Sequence, residues 1–152
     1  MKINNPFSKN NILILSPVIL VMLFDLVFTL VGQPKMYWKF SYEFFNEGSP
    51  LGEILLGHHP VIFILFFAAY MFFVLFLTTN LKRPFNIIFA MGFFLGHAWG
   101  SSSWVPGIAG KLFQIKNPAY INDWYFIIGY FIFISIISGI CINIWFKNKA
   151  NS

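Results

Sequence analysis

Asp25, Glu47, His58, His59 and His97 are the residues whose types could do chemistry together. An acid inside an apolar run costs roughly 2.5–3.5 kcal/mol on membrane-insertion scales and normally faces a bundle interior with a partner. Asp25 is such an acid, the only charge between positions 11 and 32. Its counterpart is His97, within Gly92-Phe-Phe-Leu-Gly-His-Ala-Trp-Gly-Ser-Ser-Ser-Trp104. Imidazole with carboxylate is an ordinary zinc ligand set, and catalytic sites keep a fourth position open for water. Asp25, Glu47, His59 and His97 are the candidate ligands for zinc or another transition metal. Asp25, His97 and Glu47 are the candidates for catalysis, with one acid serving as base. Without a metal the same residues would form a proton relay, because histidine titrates near neutral pH and burial raises a carboxyl group toward it.

Each residue also has a plainer reading. His97 need only hydrogen-bond Asp25 or a backbone carbonyl. His58 and His59 suit the start of an interfacial helix, where adjacent side chains point to different sides. Glu47 suits a solvated loop. Gly92, Gly96 and Gly100, four residues apart, suit a close-packing ridge between helices. Trp99 and Trp104 suit an aromatic belt at the headgroups. The chain has no Ser-x-x-Lys, Gly-x-Ser-x-Gly or His-Glu-x-x-His pattern that would name a nucleophile or a metal helix.

The elements that must position these residues follow from composition. Of 152 residues, 58% are hydrophobic and 10% charged, against about 25% charged in soluble domains. The mean hydropathy is +0.72. Twenty-one phenylalanines have no place in a soluble domain of this length. The net charge is +5, but the basic residues stand in ones and twos at the ends of apolar blocks, where membrane proteins keep topology signals. Nucleic-acid binding is therefore not expected. Cys141 is the sole cysteine and lies in an apolar block, which excludes an intrachain disulfide and a cysteine metal cluster.

A span needs about 20 apolar residues, and four blocks meet that: 11–32, 60–79, 85–104 and 124–146. The expected fold is an all-α membrane protein, a single domain made of a four-helix transmembrane bundle. The first block exceeds the 7–15-residue core of a signal peptide and lacks a small-x-small cleavage site, so it reads as a retained span. Between spans one and two an aromatic cluster from Tyr37 to Phe45 suits the headgroup region. A short interfacial helix then begins at Ser49 as N-cap and Pro50 as first helical residue. The segment 105–123, with Pro106, Gly107, Gly110 and Pro118, reads as a loop.

Four alternating spans put Lys2, Lys9, Lys82, Arg83, Lys147 and Lys149 on one side. Lys35, Lys39, Lys111 and Lys116 fall on the other, offset by Glu43, Glu47, Glu53 and Asp123. The positive-inside rule makes both termini cytoplasmic. Asp25 then lies about 12 Å, and His97 about 10 Å, below the outer rim. Thr29 and Ser101 stand one turn above them. All three histidines, with Asp25, Glu47 and Glu53, could converge on one outward-facing pocket.

Asp25-x-x-x-Thr29 followed by Asn46-Glu-Gly-Ser-Pro50-Leu resembles a pattern of small prokaryotic multi-pass membrane proteins of unknown function. In them an acid and a threonine in the first helix precede a Glu-x-Asn-Pro-like turn; here Ser49 stands where asparagine is usual. The likeness covers roughly the first 60 residues. It implies a prokaryotic cytoplasmic-membrane topology and singles out Asp25, Glu47 and Pro50, but it carries no chemistry.

Three functions fit these observations. The first is an accessory or structural membrane subunit with an outward-facing polar pocket, in a homo-oligomer or larger complex. The second is a metal-dependent membrane enzyme acting on a lipid or other apolar substrate. The third is an ion- or proton-translocating component.

Overall fold

The computed structural model describes residues 9–82, 84–114 and 123–150. Lys2, Arg83, Lys116 and Pro118, used above for topology and loop assignment, lie outside them. Among the described residues seven α-helices follow in order: α1 (Lys9–Gly32), α2 (Lys35–Lys39), α3 (Pro50–His58), α4 (Pro60–Asn80), α5 (Phe85–Ser102), α6 (Val105–Leu112) and α7 (Asp123–Ala150). A 3-10 turn at Tyr42–Phe44 sits between α2 and α3. The described residues contain no strand.

Among the described residues three helices are long and apolar enough to cross a membrane: α1 over Leu15–Gly32, α4 throughout, and α7 over Asp123–Asn148. The 21 residues of α4 rise about 32 Å, matching the roughly 30 Å hydrocarbon layer. Helix α5 has 18 residues, but Asn86, His97, Ser101 and Ser102 dilute its apolar content.

Local chemistry sets the helix ends. Ser49 Oγ accepts from Gly52 N at 3.2 Å, capping α3 ahead of Pro50. His59 Nδ1 accepts from Val61 N at 3.1 Å, capping α4 ahead of Pro60. At the far end of α4, Thr78 and Thr79 return their hydroxyls to carbonyls of their own helix, so neither needs water.

Helix α1 is the centre of the molecule and packs against α4, α5, α6 and α7. On one side its Val18 and Met22 join Tyr37, Leu56, Phe63, Phe67 and Val74 in the larger core. On the other, Val21 meets Ala98, Tyr130 and Ile134. The periphery is apolar as well: Leu65, Phe72 and Phe73 on α4, and Ile132, Phe133 and Ile136 on α7, are exposed. Such a surface suits a lipid solvent, where helices satisfy their own backbone groups.

Two expectations need correction. The segment after Ser102 is not loop throughout: α6 occupies Val105–Leu112, with Pro106 in its first turn and Ala109 buried. Proline lacks only an N–H that the first turn leaves unbonded anyway, and so initiates a helix here. Tyr37, from the aromatic cluster, is not presented on the surface either. It is 1% exposed, and its hydroxyl donates to Leu56 O at 3.2 Å, tying α2 to α3.

Candidate functional site

Helices α1 and α5 bring Asp25 and His97 together: Nδ1 of the imidazole lies 2.7 Å from Asp25 Oδ2. Both side chains are mostly sequestered, at 14% and 19% exposure for His97 and Asp25. The close approach requires Gly100, one turn above His97. A Cβ there would stand 3.1 Å from Asp25 Oδ1 and 3.3 Å from Oδ2. From α4, the Tyr70 hydroxyl reaches His97 Nε2 at 3.3 Å, and the Phe67 ring packs edge-on to the imidazole at 5.7 Å. A neutral imidazole satisfies both contacts, donating from Nδ1 to the carboxylate and accepting at Nε2 from the phenol.

Behind this trio the packing is closed by Ser101, which donates to His97 O at 2.6 Å and pairs with the Tyr130 hydroxyl of α7 at 2.6 Å. That serine therefore positions the backbone of His97 and faces α7. Ser103 donates to Gly100 O at 2.7 Å. Neither hydroxyl is bonded to the imidazole as a nucleophile would be.

In front of the trio lies a cavity of about 840 Å³ bounded by α1, α3, α4 and α5. Its polar lining is Asp25, Thr29, Glu47, Ser49, Tyr70, His97 and Ser103; its apolar lining includes Phe63, Phe66, Phe67, Phe93, Trp99 and Trp104. From Ser103 to Gly92 on α5 the lining extends about 16 Å along the helix axis. Phe66, Gly92, Gly96 and Trp99 are exposed, so the cavity is an open groove.

At the C-terminal end of α1 the rim of the groove is built around Gln33 and Lys111, whose roles the sequence did not suggest. Gln33 is 2% exposed. Its Nε2 donates to Thr29 O and Asn46 O, and its Oε1 accepts from Asn46 N at 2.8 Å. This pins the 41–49 segment to the end of α1. Glu47 is thereby held at the groove, its Oε1 accepting from Gly48 N and Ser49 N. Lys111 of α6 donates to Val31 O and Gly32 O, the last carbonyls of α1, and to Gln33 O just beyond them. Trp104 lies on Gly32, where a Cβ would be 2.6 Å from ring atom Cζ3. Tyr70 had one readable signal: it is the lone polar group in the middle of an otherwise apolar α4, and such a hydroxyl needs a partner.

The four-residue metal set is not assembled. His59 spends Nδ1 on the α4 cap and has the Tyr42 hydroxyl 3.4 Å from Nε2. His58 donates from Nδ1 to Ile54 O at 2.8 Å. Among the described residues no three His, Cys, Asp or Glu side chains gather closely enough to hold a metal ion. Helix capping competes for the histidines and wins. The glycine ridge also differs from expectation: a Cβ at Gly92 or Gly96 would meet nothing within 4 Å. Among the described residues those two glycines form groove wall, and of the three only Gly100 is closely approached.

In comparisons with known proteins the chain matches no family model, no curated protein and no solved structure.

Proposed function

We propose that this is a four-span integral membrane protein whose groove binds an amphipathic, lipid-like molecule, with the polar end on the Asp25–His97–Tyr70 network. In this reading α5 is the fourth span beside α1, α4 and α7, and α3 lies in the outer interface. Both termini face the cytoplasm of a prokaryotic cell, as the basic residues suggest. The likeness of the first 60 residues to small multi-pass membrane proteins supports the same topology.

The observation that carries the proposal is the lining of the groove: an aromatic wall ending on a few hydrogen-bonding groups. Ligand sites have this composition, with apolar contact for affinity and sparse polar groups for orientation. Translocation fits less well. Past Tyr70 toward the other end of α1, the described core is Val18, Met22, Val74, Ala90 and Phe94, and the buried Thr78 hydroxyl is returned to its own helix.

The test is lipid mass spectrometry on protein extracted in polymer-bounded nanodiscs. Wild type should retain a near-stoichiometric amphiphile, Gly96→Leu should lose it, and Gly139→Leu on α7 should keep it. Both sites have open space for a side chain, so both variants should fold. A wild type without retained amphiphile would end the proposal.

A second reading is an accessory subunit in which a partner's helix lies along Gly92 and Gly96. It is favoured because, among the described residues, nothing would lie within 4 Å of a Cβ at either glycine. In that case Gly96→Leu would dissociate a homo-oligomer or larger complex and leave the lipid content unchanged.

A further inference from the structure

We infer that the groove selects an amphiphile with an ammonium head, and that Asp25, Glu47 and the tryptophans at its mouth recognise that charge. The inference rests on the groove-binding reading and names its ligand class. The first observation is the sign of the lining. Asp25 and Glu47 both face the groove, and none of the described lining residues is Lys or Arg. Lys111 of α6 is engaged by the carbonyls of Val31, Gly32 and Gln33. A phosphate or carboxylate head placed here would meet acids, and no guanidinium or ammonium would offset them.

The second observation is the kind of wall. Trp99, Trp104, Phe66 and Phe67 line the groove with Tyr70 at its floor. Aromatic faces carry negative charge density, so a cation near a ring centroid is attracted, most strongly by tryptophan, and more so once desolvated. Quaternary ammonium groups are held in this way by aromatic enclosures. Asp25 is suited to such a head because only one of its oxygens is taken by His97. Glu47 is fixed by two backbone amides and needs no reorganisation to meet a cation. The ligand chemistry is thus an ammonium group on an apolar chain, entering from the bilayer.

The experiment uses the full chain in nanodiscs of an uncharged glycolipid, which brings no competing ammonium head. Two probes carry the same brominated twelve-carbon chain, one ending in trimethylammonium and the other in phosphate. Brominated chains quench indole emission on contact, and the contribution of Trp99 is isolated by comparison with Trp99→Phe. The ammonium probe should bind at least tenfold tighter than the phosphate probe. Asp25→Asn and Glu47→Gln should each reduce that preference several-fold. Glu47→Gln keeps an oxygen for the Gly48 and Ser49 amides, so it should fold even if Asp25→Asn does not. Equal binding of the two probes, or tighter binding of phosphate, overturns the inference while leaving the groove as a lipid site. No quenching by either probe, or quenching unchanged by Gly96→Leu, overturns both.

Discussion

Replacing His97 with alanine should cost more than replacing Asp25 with asparagine, and the two losses should not add. The imidazole and carboxylate are 2.7 Å apart, with their side chains 14% and 19% exposed. A hydrogen bond to a charged group contributes about 1.5–3 kcal/mol. His97→Ala removes that bond and leaves the carboxylate beside Gly100. It also takes the Nε2 acceptor from Tyr70. Two orphaned partners place the loss at about 3 kcal/mol, the upper end of that range. Asp25→Asn keeps an oxygen to accept from Nδ1–H and removes a charge from a largely apolar surround, so its loss should be about 1 kcal/mol. The double variant should cost about 1–2 kcal/mol less than the sum, as for groups in direct contact. The assay is a reversible SDS titration in mixed micelles, read by tryptophan emission for wild type, both single variants and the double. Losses that add to within about 0.5 kcal/mol would show that the pair does not interact. A larger loss from Asp25→Asn than from His97→Ala would refute the neutral-imidazole account and mean that the histidine carries a charge the carboxylate must balance.

Three further outcomes follow from the packing. Gly32→Ala should destabilise by about 1–3 kcal/mol, because a Cβ would drive into the Trp104 ring; Gly139→Ala, in open space on α7, should stabilise by about 0.5–1 kcal/mol, and thermal unfolding in one detergent compares them. Gln33→Leu should cost about 1–3 kcal/mol, since it strands the Asn46 amide and carbonyl, and limited proteolysis should then cut the 41–49 segment first. Burial, and beside it Tyr42, pushes the Tyr37 phenol above its ordinary value of 10.0. The folded state then holds the phenolic proton more tightly than the unfolded state. The resulting stability is fully present below pH 10 and is lost as pH rises from there through the raised value. Wild type should therefore lose stability faster than Tyr37→Phe above pH 10, measured by alkaline unfolding titrations of both; parallel slopes would contradict this.

Much of the architecture was legible because apolar run length is a one-dimensional property. A helix in lipid must satisfy its own backbone, so runs of about 20 apolar residues imply helices without knowledge of their neighbours. Caps are local as well, which is why Ser49 and Pro50 could be placed at the start of α3 from sequence alone. The 8-residue helix α6 was not legible, because glycine and proline in a short segment signal a loop unless the burial of a residue such as Ala109 decides otherwise.

The sequence by itself determined an all-helical chain with membrane-length apolar helices, and it singled out Asp25 and His97 as polar groups needing partners. Tertiary structure decided which partners they have. The rotation of each helix about its axis is set by packing of α1 against α4, α5 and α7, and a hydrophobic pattern that is nearly uniform around α4 and α7 does not specify that rotation. Packing thus turned Tyr70 toward His97 and the wall of Gly92 and Gly96 toward a groove. It left His59 to cap its own helix. Residues 13 and 72 positions apart in the chain, Gln33 with Asn46 and Asp25 with His97, meet only because the folded bundle brings their helices and loops to one end of the groove.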